Sequence, residues 1–336
     1  MNRATSSAAL VARLDGMIHD VLGPSLAQGA PIAILDFPDI RNCGDSAIWL
    51  GEMAWLRRRF GIEPSYVCRE HDFSREALLK AAPEGPIFIH GGGNFGDIWP
   101  GKQDFKEHVL ESFPDRTIIQ FPQSIHYMAQ ERIAQTARAI ARHGNFKLFV
   151  RDMRSLEFAK RHFDCEVHLC PDMAFAIGPV AARSPKMPIL AMLRNDQEKA
   201  DIGPWAYPDI PREDWVTENR YKVKLTKLMA AIGAGAVSSA VRKYRFLDAA
   251  ARQRFRRGIR QIERGRVLVT DRLHVHICAT LLGRPHAVLD NNYGKISGLM
   301  ESFYRGDNKL AERMDSLDEA VAWARAKAAA MAAKGE

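Results

Sequence analysis

Residues 87–97 read IFIHGGGNFGD, an apolar run that passes directly into three consecutive glycines. A short apolar run bounded by glycine is typical of a buried strand in a parallel sheet. Glycine lets the backbone approach a ligand closely and aim its N–H groups at an anion, although a tight turn without a ligand has the same composition. His90 and Asp97 flank the glycines and have the chemistry of an acid, a base or a hydrogen-bond partner. The candidate anion-binding residues of the turn are Gly92, Gly93 and Asn94.

Strand-like and helix-like segments alternate along the rest of the chain. Apolar runs of strand length occur at residues 32–37, 117–121, 147–150, 189–193, 267–270 and 286–289. Alternation with helical patterns predicts an α/β protein with parallel sheets. Ser, Lys and two Pro at residues 181–188 mark the best boundary, so we predict two Rossmann-like domains, 1–180 and 181–336, with the last helix free to pack back on the first. Such a fold places its active site in the interdomain cleft, at the carboxyl ends of the strands.

Composition limits the class of protein. The chain has 336 residues, of which 46% are hydrophobic and 26% charged, as in ordinary globular proteins. No apolar run is long enough to span a membrane, and the N-terminal segment predicts an ordinary helix and not a secretory signal. The five cysteines are scattered without a CxxC pair, which indicates reduced thiols and no metal site. We therefore expect a cytoplasmic protein.

The net charge of +8 is concentrated in one stretch. Between Arg242 and Arg266 lie ten Lys or Arg residues against two acids. This stretch predicts peripheral contact with the inner face of a membrane or with a phosphorylated lipid, and a solvated helix face is the alternative. Since no nucleic-acid-binding motif accompanies the charge, we expect no nucleic-acid partner.

Polar residues follow the other strands predicted in the first half. Because the carboxyl ends of parallel strands meet at one edge of a sheet, these residues should converge on the cleft. An arginine there suits a carboxylate or a phosphate. A helix cap is the alternative for Asp45, and a surface pair with Asp152 is the alternative for Arg151. The candidate substrate-binding residues are Asn42, Asp45, Gln123, Ser124, Arg151 and, after the strand at 189–193, Arg194.

The second half repeats the pattern in TDRLHVH at residues 270–276. An Arg and a His two residues apart at a helix N-terminus can bind an anion and supply a proton. A structural hydrogen bond is the alternative for a lone histidine. His276 is the rival acid within the same segment, and His90 is a more distant one. The segment DNNYGKI at 290–296 adds two further candidates, Tyr293 and Lys295.

Together and in this order, NxGD, HGGGNFGD, PQS, RD, DRLH and DNNYGKI resemble the polysaccharide pyruvyl transferase family over about residues 30–305. The resemblance implies two Rossmann-like domains similar to GT-B glycosyltransferases. It also implies transfer of the pyruvyl unit of phosphoenolpyruvate to a sugar, usually as a cyclic ketal in exopolysaccharide or cell-surface glycan. The family's Arg-Leu-His falls on Arg272, Leu273 and His274. Its first-domain arginine falls on Arg151, and its acid after the glycines falls on Asp97.

The chemistry of that reaction suits these residue types. Phosphoenolpyruvate carries a carboxylate and a phosphate, which need Arg, Lys and backbone donors. Protonation of its methylene carbon by a positioned acid, for which we predict His274, makes the central carbon electrophilic. Cationic side chains can stabilise the departing phosphate, so no metal or cofactor is expected. The acceptor would be a saccharide, free or lipid-linked, in contact with aromatic residues of the loop that holds Trp205, Tyr207 and Trp215, unless those rings pack as core.

Two other classes remain open at this point. A GT-B glycosyltransferase would use a nucleotide sugar, and it would want an acidic residue in the second domain for the ribose, which the sequence does not place. A non-catalytic saccharide-binding or anion-binding protein would tolerate the loss of Arg272 and His274, whereas this chain keeps both.

Overall fold

The computed structural model describes residues 3–26, 29–195, 205–232, 238–290, 294–304 and 310–334. The elements of the first half are α1 Arg3–Leu22, β1 Ala33–Leu35, α2 Cys43–Phe60, β2 Tyr66–Val67, α3 Arg75–Ala81, β3 Ile87–Ile89, β4 Gly92–Gly96, α4 Pro100–Ser112, β5 Ile118–His126, α5 Gln130–His143, β6 Phe146–Val150, α6 Met153–His162 and β7 Glu166–Leu169. A 3₁₀ turn, Met173–Ile177, follows. The elements of the second half are β8 Met187–Met192, β9 Arg212–Glu213, α7 Arg220–Ile232, α8 Ser239–Ile262, β10 Gly265–Thr270, α9 Leu273–Leu281, β11 His286–Leu289, α10 Lys295–Phe303, β12 Ala311–Met314 and α11 Leu317–Ala332.

Two parallel sheets organise these elements. The first sheet has the order β2-β1-β3-β5-β6-β7 with β4 paired to β5, and the second has the order β12-β11-β10-β8-β9. Every strand pair in the described part of the chain is parallel. The predicted α/β class with two Rossmann-like halves is confirmed.

Each sheet has a point at which its strand order reverses. In the first sheet the chain runs from β1 outward to β2 and returns to β3 on the other side of β1. In the second sheet it runs from β8 to β9 and returns to β10 on the other side of β8. Crevices for ligands form outside the carboxyl ends of strands at such points. The segments that leave β1, β3, β8 and β10 are therefore the ones to inspect.

Three hydrophobic cores pack these layers, and the largest belongs to both halves. One face of the first sheet, with Ile34 and Phe88, and one face of the second, with Leu190 and Leu268, contribute to a single buried cluster. Side chains of α1, α2, α8, α9 and α10 fill the space between them. The outer face of each sheet has a separate core. The two halves thus share one central layer of helices.

The terminal helices secure the second half. In α1, the Ser7 hydroxyl donates to the carbonyl of Thr280, and Arg13 Nη2 donates to the carbonyl of Phe303 at 2.7 Å. The last helix, α11, buries Leu317, Val321 and three alanines, Ala320, Ala324 and Ala328, against the second sheet, although the sequence allowed it to return to the first half. No helix among the described residues combines the length and the apolar character needed to cross a bilayer.

The glycines after β3 do not form the tight turn that was the alternative interpretation of their sequence. Residues 92–96 form β4 instead. Gly92 has φ 129° and Gly96 has φ 119°, which only glycine adopts without strain. A Cβ on Gly96 would lie 1.8 Å from the carbonyl oxygen of His126. The glycines therefore let a short strand pair closely with the far end of β5.

Candidate functional site

A cleft of about 360 Å³ opens where the reversal points of the two sheets face each other. Its walls come from the segments after β1, β3, β4 and β6 in the first half and after β8, β9, β10 and β11 in the second. The predicted residues that line it are Asn42, Asp45, Gly93, Asn94, Arg151, Arg194, Arg272, Leu273, His274 and Lys295. Side chains far apart in sequence are thus brought to one cavity.

Two helix N-termini meet in this cleft. Asn42 caps α2 and its side chain accepts a hydrogen bond from the Gly44 amide at 3.0 Å, while α9 begins just after Arg272. The helices approach so closely that a Cβ on Gly44 would lie 2.6 Å from His274 Nδ1. Helix N-termini carry partial positive charge and unsatisfied N–H groups, so the junction favours an anion.

Arg151 and His274 share one carboxylate. Arg151 Nη1 lies 2.6 Å from Asp172 Oδ2, and His274 Nε2 lies 3.3 Å from the same oxygen. Burial would raise the pKa of Asp172, but His274 and Arg151 lower it well below its usual value. Arg151 also donates through Nε to Ser124 Oγ at 2.9 Å. The buried anion of Asp172, which the sequence analysis missed, therefore fixes the guanidinium and the imidazole relative to each other.

Two cations converge on Gly93. The position that a Cβ would occupy on this residue lies 3.0 Å from Arg151 Nη2 and 3.7 Å from Lys295 Nζ. Gly93 does not have a positive φ, so its conformation does not itself require glycine. A side chain at position 93 would instead fill the space beside the two cationic groups. This arrangement provides a site for an anion next to His274.

The second half supplies two further arginines. Arg272 Nη2 lies 2.7 Å from Asp214 Oδ2, with both side chains buried. Asp271 Oδ1 accepts a hydrogen bond from the Arg194 amide at 2.8 Å, which fixes the segment after β8 beside the start of α9. Both arginines line the cleft. Asp214 was not predicted as a site residue, because nothing in its local sequence links it to Arg272.

A second histidine also reaches the cleft. His90 Nδ1 lies 2.9 Å from Glu52 Oε2, and Glu52 Oε1 accepts a hydrogen bond from the Gly91 amide at 2.9 Å. Burial would lower the pKa of His90, but the Glu52 carboxylate raises it above its usual value. His90 Nε2 has no hydrogen-bond partner within the described part of the chain. The pair is a buried, proton-holding group at the edge of the cavity.

Carboxylates line the cleft as well. Asp36 follows β1 with φ 65°, and it is held by Lys102 at 2.5 Å and by Asn94 Nδ2 at 3.3 Å. Burial would raise the pKa of Asp39, but Lys227 and Arg254 lower it to about 2. Together with Asp45, these two aspartates are the carboxylates of the cleft lining, whose cations are Lys102, Arg151, Arg194, Arg272 and Lys295. Trp99 and Ile40, each about half exposed, line the cleft as well.

Several predicted residues lie outside the cavity wall. Both oxygens of Asp97 accept hydrogen bonds from the amides of Met128 and Ala129 at 2.8–2.9 Å, so Asp97 fixes the segment that leads into α5 and is not part of the cleft lining. Gln123 donates to the carbonyl of His90 and to the side chain of Asn94, and therefore supports the glycine segment from behind. Gly92 and Ser124 likewise lie behind the lining. Tyr293 falls outside the described residues.

The rival histidine and the aromatic loop have other roles. His276 is fully buried, lies 2.7 Å from His286 and has a pKa lowered by burial, so it cannot serve as the acid in the cleft. Trp215 lines the cleft, although its ring is almost wholly buried. Trp205 and Tyr207 pack against each other on the outer core of the second sheet. Within the predicted acceptor loop, only Trp215 reaches the cavity.

Ion pairs occupy part of the basic stretch from Arg242 to Arg266. Lys243 pairs with Asp72, Arg254 with Glu218 and Asp39, and Arg264 with Glu213. The arginines on the outer face of α8 are solvent-exposed: Arg242, Arg245, Arg252, Arg256 and Arg260. Much of this charge therefore joins α8 to its neighbours, and the remainder forms one exposed row.

Fold and site together define an α/β protein of two Rossmann-like halves, with an anion-binding site of arginine and lysine side chains between them. A family model described as polysaccharide pyruvyl transferase matches residues 42–293. The chain belongs to this family and is a transferase. Pyruvyl transferase 1 of Schizosaccharomyces pombe is 32% identical over 86% of this chain and 74% of its own length. EpsO of Bacillus subtilis, which is named as a pyruvyl transferase, is 27% identical over 91% of this chain and 94% of its own length.

A solved structure supports the fold. A functionally uncharacterised protein from Klebsiella pneumoniae superimposes with a TM-score of 0.57, covering 88% of this chain and 96% of that one. The two sequences are 18% identical, so this likeness concerns the architecture alone.

Proposed function

We propose that the protein transfers the pyruvyl group of phosphoenolpyruvate to a saccharide and forms a pyruvate ketal in exopolysaccharide or cell-surface glycan. The observation that carries the proposal is the convergence of Arg151 and Lys295 on Gly93, next to His274. A carboxylate and a phosphate on one small donor need several cations in one place. The proposed reaction uses no cofactor, since the donor itself supplies the activated carbon.

The donor's anionic groups would bind among the cations that line the cleft. Arg151 and Lys295 face the space at Gly93, and Arg272 and Arg194 approach from the second sheet. The N-termini of α2 and α9 add their partial positive charge to the same space. As the phosphate leaves, these groups would stabilise its growing charge.

In the first step His274 would donate a proton to the methylene carbon of the donor. The methylene carbon thereby becomes a methyl group, and the central carbon becomes electrophilic. A sugar hydroxyl adds to that carbon, and its proton passes to a base. The bond from carbon to the phosphate oxygen then breaks and leaves the carbon as an oxocarbenium ion. A second hydroxyl of the sugar adds to this ion and gives its proton to the departed phosphate, which closes the ketal. His90, held by Glu52, is the alternative acid.

The acceptor would lie against the carboxylates of the cleft lining, Asp36, Asp39 and Asp45. Sugar hydroxyls donate to carboxylates, and the exposed face of Trp99 suits the apolar face of a sugar ring. Asp45 is the candidate base, because it lines the cleft and no ion pair engages it in the described part of the chain. We propose that the reaction is cytoplasmic and that the acceptor is lipid-linked. Incubation of the protein and phosphoenolpyruvate with free and with lipid-linked saccharides, followed by measurement of the product masses, would test the nature of the acceptor.

Gly93→Ala tests the donor site. The added methyl group would occupy the space beside Arg151 and Lys295 without backbone strain, so affinity for phosphoenolpyruvate should fall at least 10-fold. Gly16→Ala is the matched control, since a Cβ there meets nothing within 4 Å. Calorimetric titration with phosphoenolpyruvate provides the measurement. If Gly93→Ala binds the donor as well as wild type and the control do, the anion site is wrongly placed.

A further inference from the structure

We propose that helix α7 is an interfacial anchor that lies on the surface of an anionic lipid bilayer. The contact would bring the mouth of the cleft to a lipid-borne acceptor, and in that respect it rests on the proposed function. The lipid contact itself does not depend on the reaction. It concerns a different element from the basic stretch in α8.

An apolar stripe runs the length of α7. Tyr221, Leu225, Leu228, Met229 and Ile232 are 54–84% exposed, in each case well above what an ordinary core residue shows. Their spacing of four, three, one and three residues places them on one face of a helix. Half of the large exposed hydrophobic residues in the described part of the chain are in this one helix. An apolar surface of this continuity marks an interaction site.

The opposite face of α7 already has its partner. Val223 and Lys227 are buried, and α7 packs along α8. Lys227 Nζ donates to both oxygens of Asp39 at 2.8 Å and lies 5.0 Å from the ring centre of Phe246. These contacts fix the rotation of the helix, so its apolar stripe faces outward as a consequence of the fold.

The charge around the stripe selects its occupant. The sequence of α7, RYKVKLTKLMAAI, contains no acid, and Arg220, Lys222 and Lys224 are exposed beside the apolar residues. The adjacent α8 adds its exposed arginine row. A helix with an apolar face and a purely cationic border is typical of elements that lie in the headgroup region of anionic membranes.

A second copy of the chain fits this surface less well. In a two-fold dimer through α7, the same patch would face itself. The cations at 220, 222 and 224 of both copies would then border the same interface, with no acid in either helix to offset their charge. An anionic lipid surface complements both the apolar and the charged parts of the helix.

The position of α7 connects the surface to the site. Trp215 and Val216 line the cleft only a few residues before the helix begins, and Asp39, which binds Lys227, lines it as well. Ile40 and Val216 are partly exposed apolar residues of the cleft lining. A membrane under α7 would therefore lie close to the cavity that receives the acceptor.

Vesicle flotation tests the proposal with full-length protein and no substrate. Wild type should float with vesicles of phosphatidylcholine containing about a third phosphatidylglycerol, and not with phosphatidylcholine alone. The double variant Leu225→Gln, Leu228→Gln should lose at least 10-fold in binding, because both side chains are exposed and contribute only to the stripe. Met128→Gln, which changes an exposed apolar residue of the first half, is the matched control.

The outcomes separate this proposal from others. Turnover with a water-soluble acceptor should be the same in the double variant and in wild type. If wild type itself shows no turnover, the proposed function is refuted and the vesicle result still stands. Failure of wild type to float with anionic vesicles, or equal flotation of wild type and double variant, would overturn the anchor. A concentration-dependent dimer that the double variant abolishes, without vesicle binding, would assign the stripe to a second copy.

Discussion

Gly44→Ala should displace the candidate acid without changing any charged group. The new methyl carbon would lie 2.6 Å from Nδ1 and 2.7 Å from Cγ of His274. It would also lie 2.8 Å from the Cβ of His274. Non-bonded heavy atoms prefer a separation of about 3.5 Å, so the Cβ and the ring must both retreat, the ring by about 0.9 Å. The retreat would disturb the 3.3 Å contact between His274 Nε2 and Asp172. A misplacement of about 1 Å in a catalytic group costs roughly 100-fold in rate, and turnover should fall by that amount.

Stability should change much less than turnover. Gly44 lies in the first turn of α2, where alanine is a better helix former than glycine by up to about 1 kcal/mol. Overpacking against the imidazole costs about 1–3 kcal/mol. The two effects partly cancel, so the free energy of unfolding should fall by no more than about 2 kcal/mol. Gly16→Ala has no such contact and should retain full turnover.

The assay compares turnover, read as phosphate release, with the affinity for phosphoenolpyruvate and the urea unfolding curve. Donor affinity should stay within about 3-fold of wild type, because Arg151 and Lys295 are untouched. A double-mutant cycle with His274→Gly isolates the mechanism, because glycine also removes the Cβ that the new methyl group would meet at 2.8 Å. If Gly44→Ala multiplies the loss already caused by His274→Gly, it does not act through the histidine side chain. Normal turnover in Gly44→Ala alone would refute the assignment of His274.

Three further predictions concern other parts of the molecule. Arg272→Lys should weaken binding of phosphoenolpyruvate at least 10-fold in a calorimetric titration, because lysine lacks the guanidinium fork; unchanged affinity would exclude Arg272 from the donor site. Trp99→Ala should raise the KM for the acceptor several-fold and leave that for the donor unaltered, whereas equal changes in both would argue against a sugar platform. Burial lowers the pKa of His286 from 6.5 to about 4, so the unfolded chain binds a proton that the folded protein rejects between these values. The free energy of unfolding should therefore fall by about 3 kcal/mol as the pH falls from 6.5 to 4. In urea unfolding, the difference in this free energy between wild type and His286→Gln should be smaller at pH 5 than at pH 7.5.

Local sequence was sufficient to predict the architecture. Short apolar runs such as those at 87–89 and 267–270 are bounded by glycine or charged residues, and burial of a parallel strand on both faces produces that pattern. Since carboxyl ends of parallel strands meet at one edge, the residues that follow them could be assigned to a common cleft. Arg151, Arg272 and His274 all line it.

Contacts between distant segments could not be predicted in this way. Asp172 lies in a turn with the appearance of an ordinary cap, and only the folded chain brings it to Arg151 and His274. Glu52 is a charged residue on the buried side of α2, and a buried charge indicates that a partner exists. The local sequence does not show that this partner is His90. Asp97 satisfied the local pattern of an acid after glycines, yet the segment that leads into α5 takes up both of its oxygens.

The central layer of helices bears on how such enzymes change their acceptors. Domains that are exchanged as modules usually have cores of their own. Here α1 and α2 interlock with α8 and α9, so a chimera joined near residue 181 would combine surfaces that were never matched to each other. Recombination of halves should therefore yield insoluble or inactive chains far more often than grafting of the segments around Ile40 and Trp99. Diversification by small changes at the rim of the cleft, within an intact chain, is the route that this packing leaves open.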